Sequence, residues 1–154
     1  MASTEDRLKF ESDGGCSHCG LRDARSLTVH HLDQTEPKNE DYDNKLILCR
    51  NCHNGHHAGK GPTAAELKDI KRRLMIKALT IPGLNALKLA YRRGLVVAMP
   101  FLVNHLVEHQ YLEYKETVSN WLRNEQDPET LVDMTVVYTI TVRGKQLLEK
   151  WALK

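Results

Sequence analysis

The sequence predicts an α+β protein in two parts, residues 1–61 and 62–154. Three observations carry this. All four cysteines fall within the first part, as two Cys-x-x-Cys pairs set in a turn-rich, histidine-rich segment with little apolar periodicity. From Thr63 onward, apolar residues recur at helical spacing. Beyond Tyr111 the pattern changes to the alternation and β-branching of strands, which makes the second part mainly helical with a small sheet.

The elements follow in order. Gly59-Lys60-Gly61-Pro62 separates the parts. Thr63, with Glu66 three residues on, has the form of a helix start, and the apolar period carries that helix to about Leu79. Ile81-Pro82-Gly83 is expected to break it. A second helix is expected over 85–93, stopped by Gly94, and a third from about Pro100 to Gln110, with Leu102, Val103, Leu106 and Val107 on one face. The apolar run from Val96 to Val103 is expected to be core or a protein-contact surface. Strands are expected over 111–118 and 135–141, the latter rich in Val, Thr and Ile. The polar stretch 123–130 suits the loop of a hairpin between them. A last helix is expected over 146–153, and Trp121 and Trp151 are expected to anchor packing.

Composition bounds the class. The apolar fraction of 41% and the charged fraction of 27% are those of a soluble protein, and no run of about 18 apolar residues offers a membrane span. The N-terminus lacks the apolar core of a secretion signal. The expectation is an intracellular, cytoplasmic protein of a bacterium or phage with no membrane partner. Net charge is only +2 but uneven: residues 1–60 carry −2 and residues 61–154 carry +4. Between Ile70 and Val107 stand Lys71, Arg72, Arg73, Lys77, Lys88, Arg92 and Arg93, with no acidic residue. That stretch suits a phosphate backbone or, equally, a solvated helix face.

In a reducing compartment, paired Cys-x-x-Cys motifs favour zinc over disulfides. Cys16, Cys19, Cys49 and Cys52 fit one tetrahedral structural Zn²⁺, each two-residue spacer letting both thiolates reach the ion. The rival readings are a redox pair, or a site in which His18 or His53 replaces one cysteine. The gap of about 30 residues between the pairs is longer than in a simple zinc ribbon and displays other chemistry: His30-His31, Asn44, and Cys52-His53 followed by His56-His57.

In that order and spacing the stretch from Cys16 to His57 resembles the HNH endonuclease family, whose ββα-metal fold is often stapled by a Cys₄ zinc. The resemblance implies that His31 is the general base that takes a proton from water. It implies that Asn44 orients His31 through a hydrogen bond. His30, which stands where the family often has Asp, is implied to be a ligand of a catalytic divalent cation together with His53 and His57. The last two are four residues apart and so share a helix face. His56 is the alternative to His57. Three histidine ligands point to Mn²⁺, Ni²⁺, Co²⁺ or Zn²⁺ over Mg²⁺. The family often has Pro soon after the His-His pair; this chain has Asp33-Gln34-Thr35. His18, His105 and His109 are expected to be structural or on the surface.

Residues 80–154 resemble, less specifically, a winged helix-turn-helix domain. The likeness rests on Asn104–Tyr114, read as a recognition helix running into a wing strand, and on Tyr138–Lys145, read as the second wing strand and its exit. Such a module positions DNA through its third helix and wing. Here that helix lacks Lys and Arg, so a protein partner or a homodimer contact is the equal expectation. The functional expectation is a metal-dependent endonuclease hydrolysing phosphodiester bonds in DNA, as nicks or double-strand breaks. Its alternative is a catalytically inactive, zinc-containing DNA-binding regulator.

Overall fold

The computed structural model describes residues 3–121 and 132–154, with side chains of 119–121 and 132–134 left aside. The expected loop over 123–130 and the side chain of Trp121 therefore lie outside what is described. The fold is mixed α+β and divides into two compact units, Met1–Ala78 and Leu79–Lys154.

The first unit opens with helix α1 (Thr4–Glu11), an element the turn-rich reading of this segment did not include. Ser3 caps it: its hydroxyl accepts from Asp6 N–H at 3.1 Å, and the Asp6 carboxylate takes Ser3 N–H at 3.2 Å. Strands β1 (Leu27–His31) and β2 (Lys45–Cys49) then pair antiparallel, with Leu27 opposite Cys49 and His31 opposite Lys45. Helix α2 (Arg50–His57) follows β2 without a loop, and α3 (Ala64–Leu79) follows after the glycine-rich turn. The expected Thr63–Glu66 capping box is present, with Thr63 N–H on Glu66 Oε2 at 2.7 Å and Glu66 N–H on Thr63 Oγ1 at 3.2 Å.

The boundary expected at 61/62 falls inside this unit, and the reason is packing. Leu67 and Ile70 of α3 form one apolar cluster with Cys16, Leu46, Leu48 and Cys49. A hairpin of this size cannot bury its apolar face alone, so the next helix in sequence covers it. A second tie is a buried ion pair, Lys71 Nζ to Glu11 Oε1 at 2.6 Å. Tyr42 OH donates to the same carboxylate, and the Lys71 ammonium lies 4.0 Å above the Tyr42 ring. Lys71 is thus withdrawn from the basic stretch expected to face phosphate. Lys77 is engaged as well, with Asp13 at 2.8 Å.

The second unit contains α4 (Ile81–Arg93), β3 (Leu95–Ala98), α5 (Pro100–Glu108), β4 (Leu112–Trp121), β5 (Val132–Ile140) and α6 (Val142–Lys150). Pro82 and Gly83 begin α4 rather than ending the helix before it. Pro82 occupies the first turn, where its missing N–H costs nothing, and Thr80 Oγ1 accepts from Gly83 N–H at 3.2 Å. Gly94, in the left-handed region at φ 81°, closes α4 as expected.

Strand β3 was not expected. Its residues sit within the apolar run read as core or contact surface, and they alternate between buried Val96 and exposed Leu95 and Val97. The sheet order is β3-β5-β4, all antiparallel. Its arrangement departs from the simple helix-helix-helix-wing order: α3 belongs to the first unit, and β3 stands between α4 and α5. The core gathers Leu87, Ala90, Val103, Leu106, Val136, Leu148 and Trp151. Trp151, 3% exposed, is the expected packing anchor, and His105 is structural, its Nε2–H donating to Leu79 O at 2.8 Å. Among the described residues no helix is long and apolar enough to cross a membrane.

Candidate metal centres and the histidine face

Among the described residues, two clusters of side chains that could hold a metal ion lie in the first unit. The Sγ atoms of Cys16, Cys19, Cys49 and Cys52 all lie within 4.8 Å of one another, with Cys19 and Cys49 at 3.7 Å. Four thiolates around one Zn²⁺ at about 2.3 Å stand about 3.8 Å apart, so the cluster has the dimensions of a tetrahedral zinc site. Local backbone builds it. Gly20, at φ 76°, turns the first knuckle, closed by Cys16 N–H on Leu21 O at 2.9 Å and Gly20 N–H on Cys16 O at 2.8 Å. Ser17 N–H on Ile47 O, 2.9 Å, ties that knuckle to β2. Cys49 caps α2, its Sγ accepting from Cys52 N–H at 3.5 Å.

Burial raises Cys16, but N–H groups of Cys19, Cys49 and His18 aimed at its sulfur outweigh it and hold it down at about 7. Burial and the neighbouring thiols push Cys52 far up. A divalent ion held there would favour the thiolate form of its cysteine ligands. His18 stands beside the cluster, Nδ1 3.4 Å from Cys52 Sγ, as a neighbour to it.

The second cluster is His30, His53 and His57, whose donor nitrogens also lie within 4.8 Å of one another. Strand alternation turns His30 of β1 inward, and the four-residue spacing puts His53 and His57 on one face of α2. The rings converge, with centroids 5.2 Å apart for His30 and His53, and 4.7 Å for His53 and His57. His30 is 2% exposed, and its Nδ1 is buried without a hydrogen-bond partner. Burial first, then the neighbouring histidines His56, His53 and His57, lower its pKa to about 4. A neutral imidazole with an orphaned ring nitrogen fits a metal ligand. The donor set is all nitrogen, which suits Zn²⁺, Ni²⁺, Co²⁺ or Mn²⁺ better than Mg²⁺, and it leaves the ion's double charge uncancelled.

His56 packs on the same cluster, 4.9 Å from His30 between centroids, but its Nδ1–H donates to Pro62 O at 2.7 Å. The turn after α2 makes that bond possible. A Cβ on Gly61 would meet Gly55 C at 2.7 Å and His56 N at 2.8 Å, so only glycine lets the chain lie this close to α2.

His31, the next residue of β1 after His30, meets Glu40, Nε2 to Oε1 at 3.1 Å. The second oxygen of Glu40 takes Lys45 Nζ. Asn44 is buried but does not bond His31, contrary to the expected orienting contact. Its Oδ1 accepts from Asp33 N–H at 2.9 Å, and its Nδ2 donates to Asn39 O at 2.8 Å and Asp33 O at 3.1 Å. Asn44 therefore pins the ends of the 33–43 segment, which explains why an amide with donor and acceptor is needed there. Glu40 carries no local sequence signal: it is one acid in a polar loop, and only the β1–β2 register brings it to His31.

Searches against protein-family models, curated proteins and solved structures return no match, so the reading of the site rests on its own chemistry.

Proposed function

We propose that the chain is a metal-dependent endonuclease of the HNH type that hydrolyses phosphodiester bonds in DNA. The observation that carries the reading is the convergence of His30 from a strand with His53 and His57 from the following helix, one residue from His31. His30, His53 and His57 would hold a divalent cation, which when bound supplies positive charge to a phosphate oxygen and to the leaving oxygen. His31 takes the proton of the attacking water as the water oxygen bonds to phosphorus. The P–O3′ bond breaks, the departing 3′ oxygen takes a proton from solvent water, and a 5′-phosphate and a 3′-hydroxyl remain, the outcome implied by the HNH resemblance. The four cysteines keep β2 and α2 in register around a structural Zn²⁺ and take no part in the reaction.

The second unit is proposed to position DNA as a winged-helix-like module, or to contact protein. The second role is supported by Val97 and Phe101, 51% and 72% exposed, and by an α5 without Lys or Arg. One chain has one histidine face, so it nicks one strand; a homodimer would cut both. The cell compartment expected for such an enzyme is the cytoplasm, and the partner is double-stranded DNA.

The test is incubation of supercoiled plasmid with wild type and His31→Ala, in EDTA and in Mg²⁺, Mn²⁺ or Ni²⁺. Nicking by the wild type alone, and only with added metal, is the expected result. Equal cleavage by His31→Ala, or none by zinc-loaded wild type in any metal, would overturn the assignment. The second outcome, with DNA binding retained, would leave a zinc-containing DNA-binding regulator.

A further inference from the structure

We propose that Glu40 is the carboxylate partner of His31: it holds the imidazole in the Nε2–H tautomer and leaves Nδ1 to accept the proton from water. The inference rests on the nuclease reading above and adds a positioning residue to it. Glu40 Oε1 stands 3.1 Å from His31 Nε2. A carboxylate oxygen only accepts hydrogen bonds, so Nε2 is the N–H end of this contact, and the tautomer it favours keeps its lone pair at Nδ1.

The contact is built from more than one side. Lys45 faces His31 directly across the β1–β2 ladder and bonds the other oxygen of the same carboxylate. The Lys45 side chain is only 11% exposed whereas that of Glu40 is 68% exposed, so an anchored cation holds a loop residue against the histidine. The loop is fixed on both sides of Glu40. Asn39 O accepts from Asn44 Nδ2 at 2.8 Å, and Asn39 Oδ1 accepts from Asp41 N–H at 2.8 Å. Each oxygen of Glu40 thus has one partner, and the pair takes over the orienting role that Asn44, bonded elsewhere, does not fill directly.

The chemical consequence is twofold. A ring held in one tautomer presents its lone pair in a fixed direction, and a carboxylate on the far nitrogen stabilises the imidazolium that forms when His31 takes the proton. Glu40 touches His31 and not the reacting atoms, so its loss should lower kcat and leave KM nearly unchanged.

The experiment pairs ¹⁵N NMR of the His31 ring with plasmid-nicking kinetics, for wild type, Glu40→Ala and Glu40→Gln at matched zinc content. The His31 resonance is assigned by its absence in His31→Ala. The expected result is a single Nε2–H tautomer in the wild type and a mixture in Glu40→Ala. The accompanying fall in kcat is about 10- to 100-fold with KM within about twofold, the range for loss of such a partner. Glu40→Gln, which keeps an acceptor oxygen, recovers the tautomer and part of the rate. An unchanged ring spectrum and rate in Glu40→Ala would overturn the proposal. If wild type cleaves nothing, the nuclease reading falls, while the ring spectrum still decides whether Glu40 sets the tautomer.

Discussion

Replacing Lys71 by methionine keeps most of the side-chain volume but removes the cation bonded to a buried carboxylate. Glu11 and Lys71 have 1% and 0% exposed side chains, and Tyr42 OH would be left as the partner of the acid. Even in the wild type, burial raises Glu11 against the opposing pull of Lys71. Without the ammonium, the cheapest folded form is the protonated acid. Holding a carboxyl of unfolded pKa about 4.3 neutral costs about 3.7 kcal/mol at pH 7 and about 1 kcal/mol at pH 5. The larger figure lies within the ~3–5 kcal/mol range for breaking a buried ion pair. Because the folded pKa is raised, the variant's stability is present at low pH and is lost as pH rises above the unfolded value.

The assay is denaturant unfolding with saturating zinc from pH 5 to 7.5, followed by far-UV ellipticity. Both tryptophans lie beyond residue 78, so their fluorescence isolates the second unit, whose transition should not move. The double variant Glu11→Gln/Lys71→Met should regain most of the loss. An equal loss at pH 5 and pH 7, or a loss below about 1 kcal/mol at pH 7, would refute the claim that this pair is sealed from water.

Other outcomes follow from the two metal clusters. Cys49→Ser should abolish tight zinc binding; structural zinc supplies about 10–16 kcal/mol, which exceeds the net stability of most domains, so unit one should unfold while Trp151 fluorescence stays native. His57→Ala should weaken Ni²⁺ or Mn²⁺ binding at the second cluster at least about tenfold by calorimetry. His56→Ala should instead cost about 1 kcal/mol of stability with little change in affinity, since it loses one bond to Pro62 O. His30 has a depressed pKa, so its contribution is present above about pH 6.5 and is lost as pH falls toward 4. With the second cluster metal-free, wild type should lose up to about 3 kcal/mol relative to His30→Asn across that window in unfolding titrations. Gly61→Ala should destabilise unit one by about 1–3 kcal/mol in thermal melts, because its methyl meets the α2 backbone.

Much of the site was legible because its signals are local. Two-residue spacers make knuckles, and a four-residue spacing of His53 and His57 makes a shared helix face, whatever the rest of the chain does. Capping at Thr63 and the stop at Gly94 are equally local. The misreadings share a different cause. Pro82-Gly83 reads as a breaker in isolation but starts a helix when Thr80 caps it. Lys71 reads as one of seven surface cations until Glu11, 60 residues away, is found against it. Asn44 reads as a partner of His31 until the loop closes on it.

Ligand spacing in the chain gave the two cysteine knuckles, and periodicity gave a mainly helical second part with two strands. The strand end and the helix that carry the histidines came from the resemblance of the Cys16–His57 stretch, not from periodicity. Long-range packing settled that α3 completes the first unit, that His56 turns to Pro62 while His57 stays with His30 and His53, and that Glu40 reaches His31. Each of these depends on which distant surfaces exclude water together. A side chain's partner across a hairpin or between helices is set by packing, to which nearest neighbours in the chain carry no pointer.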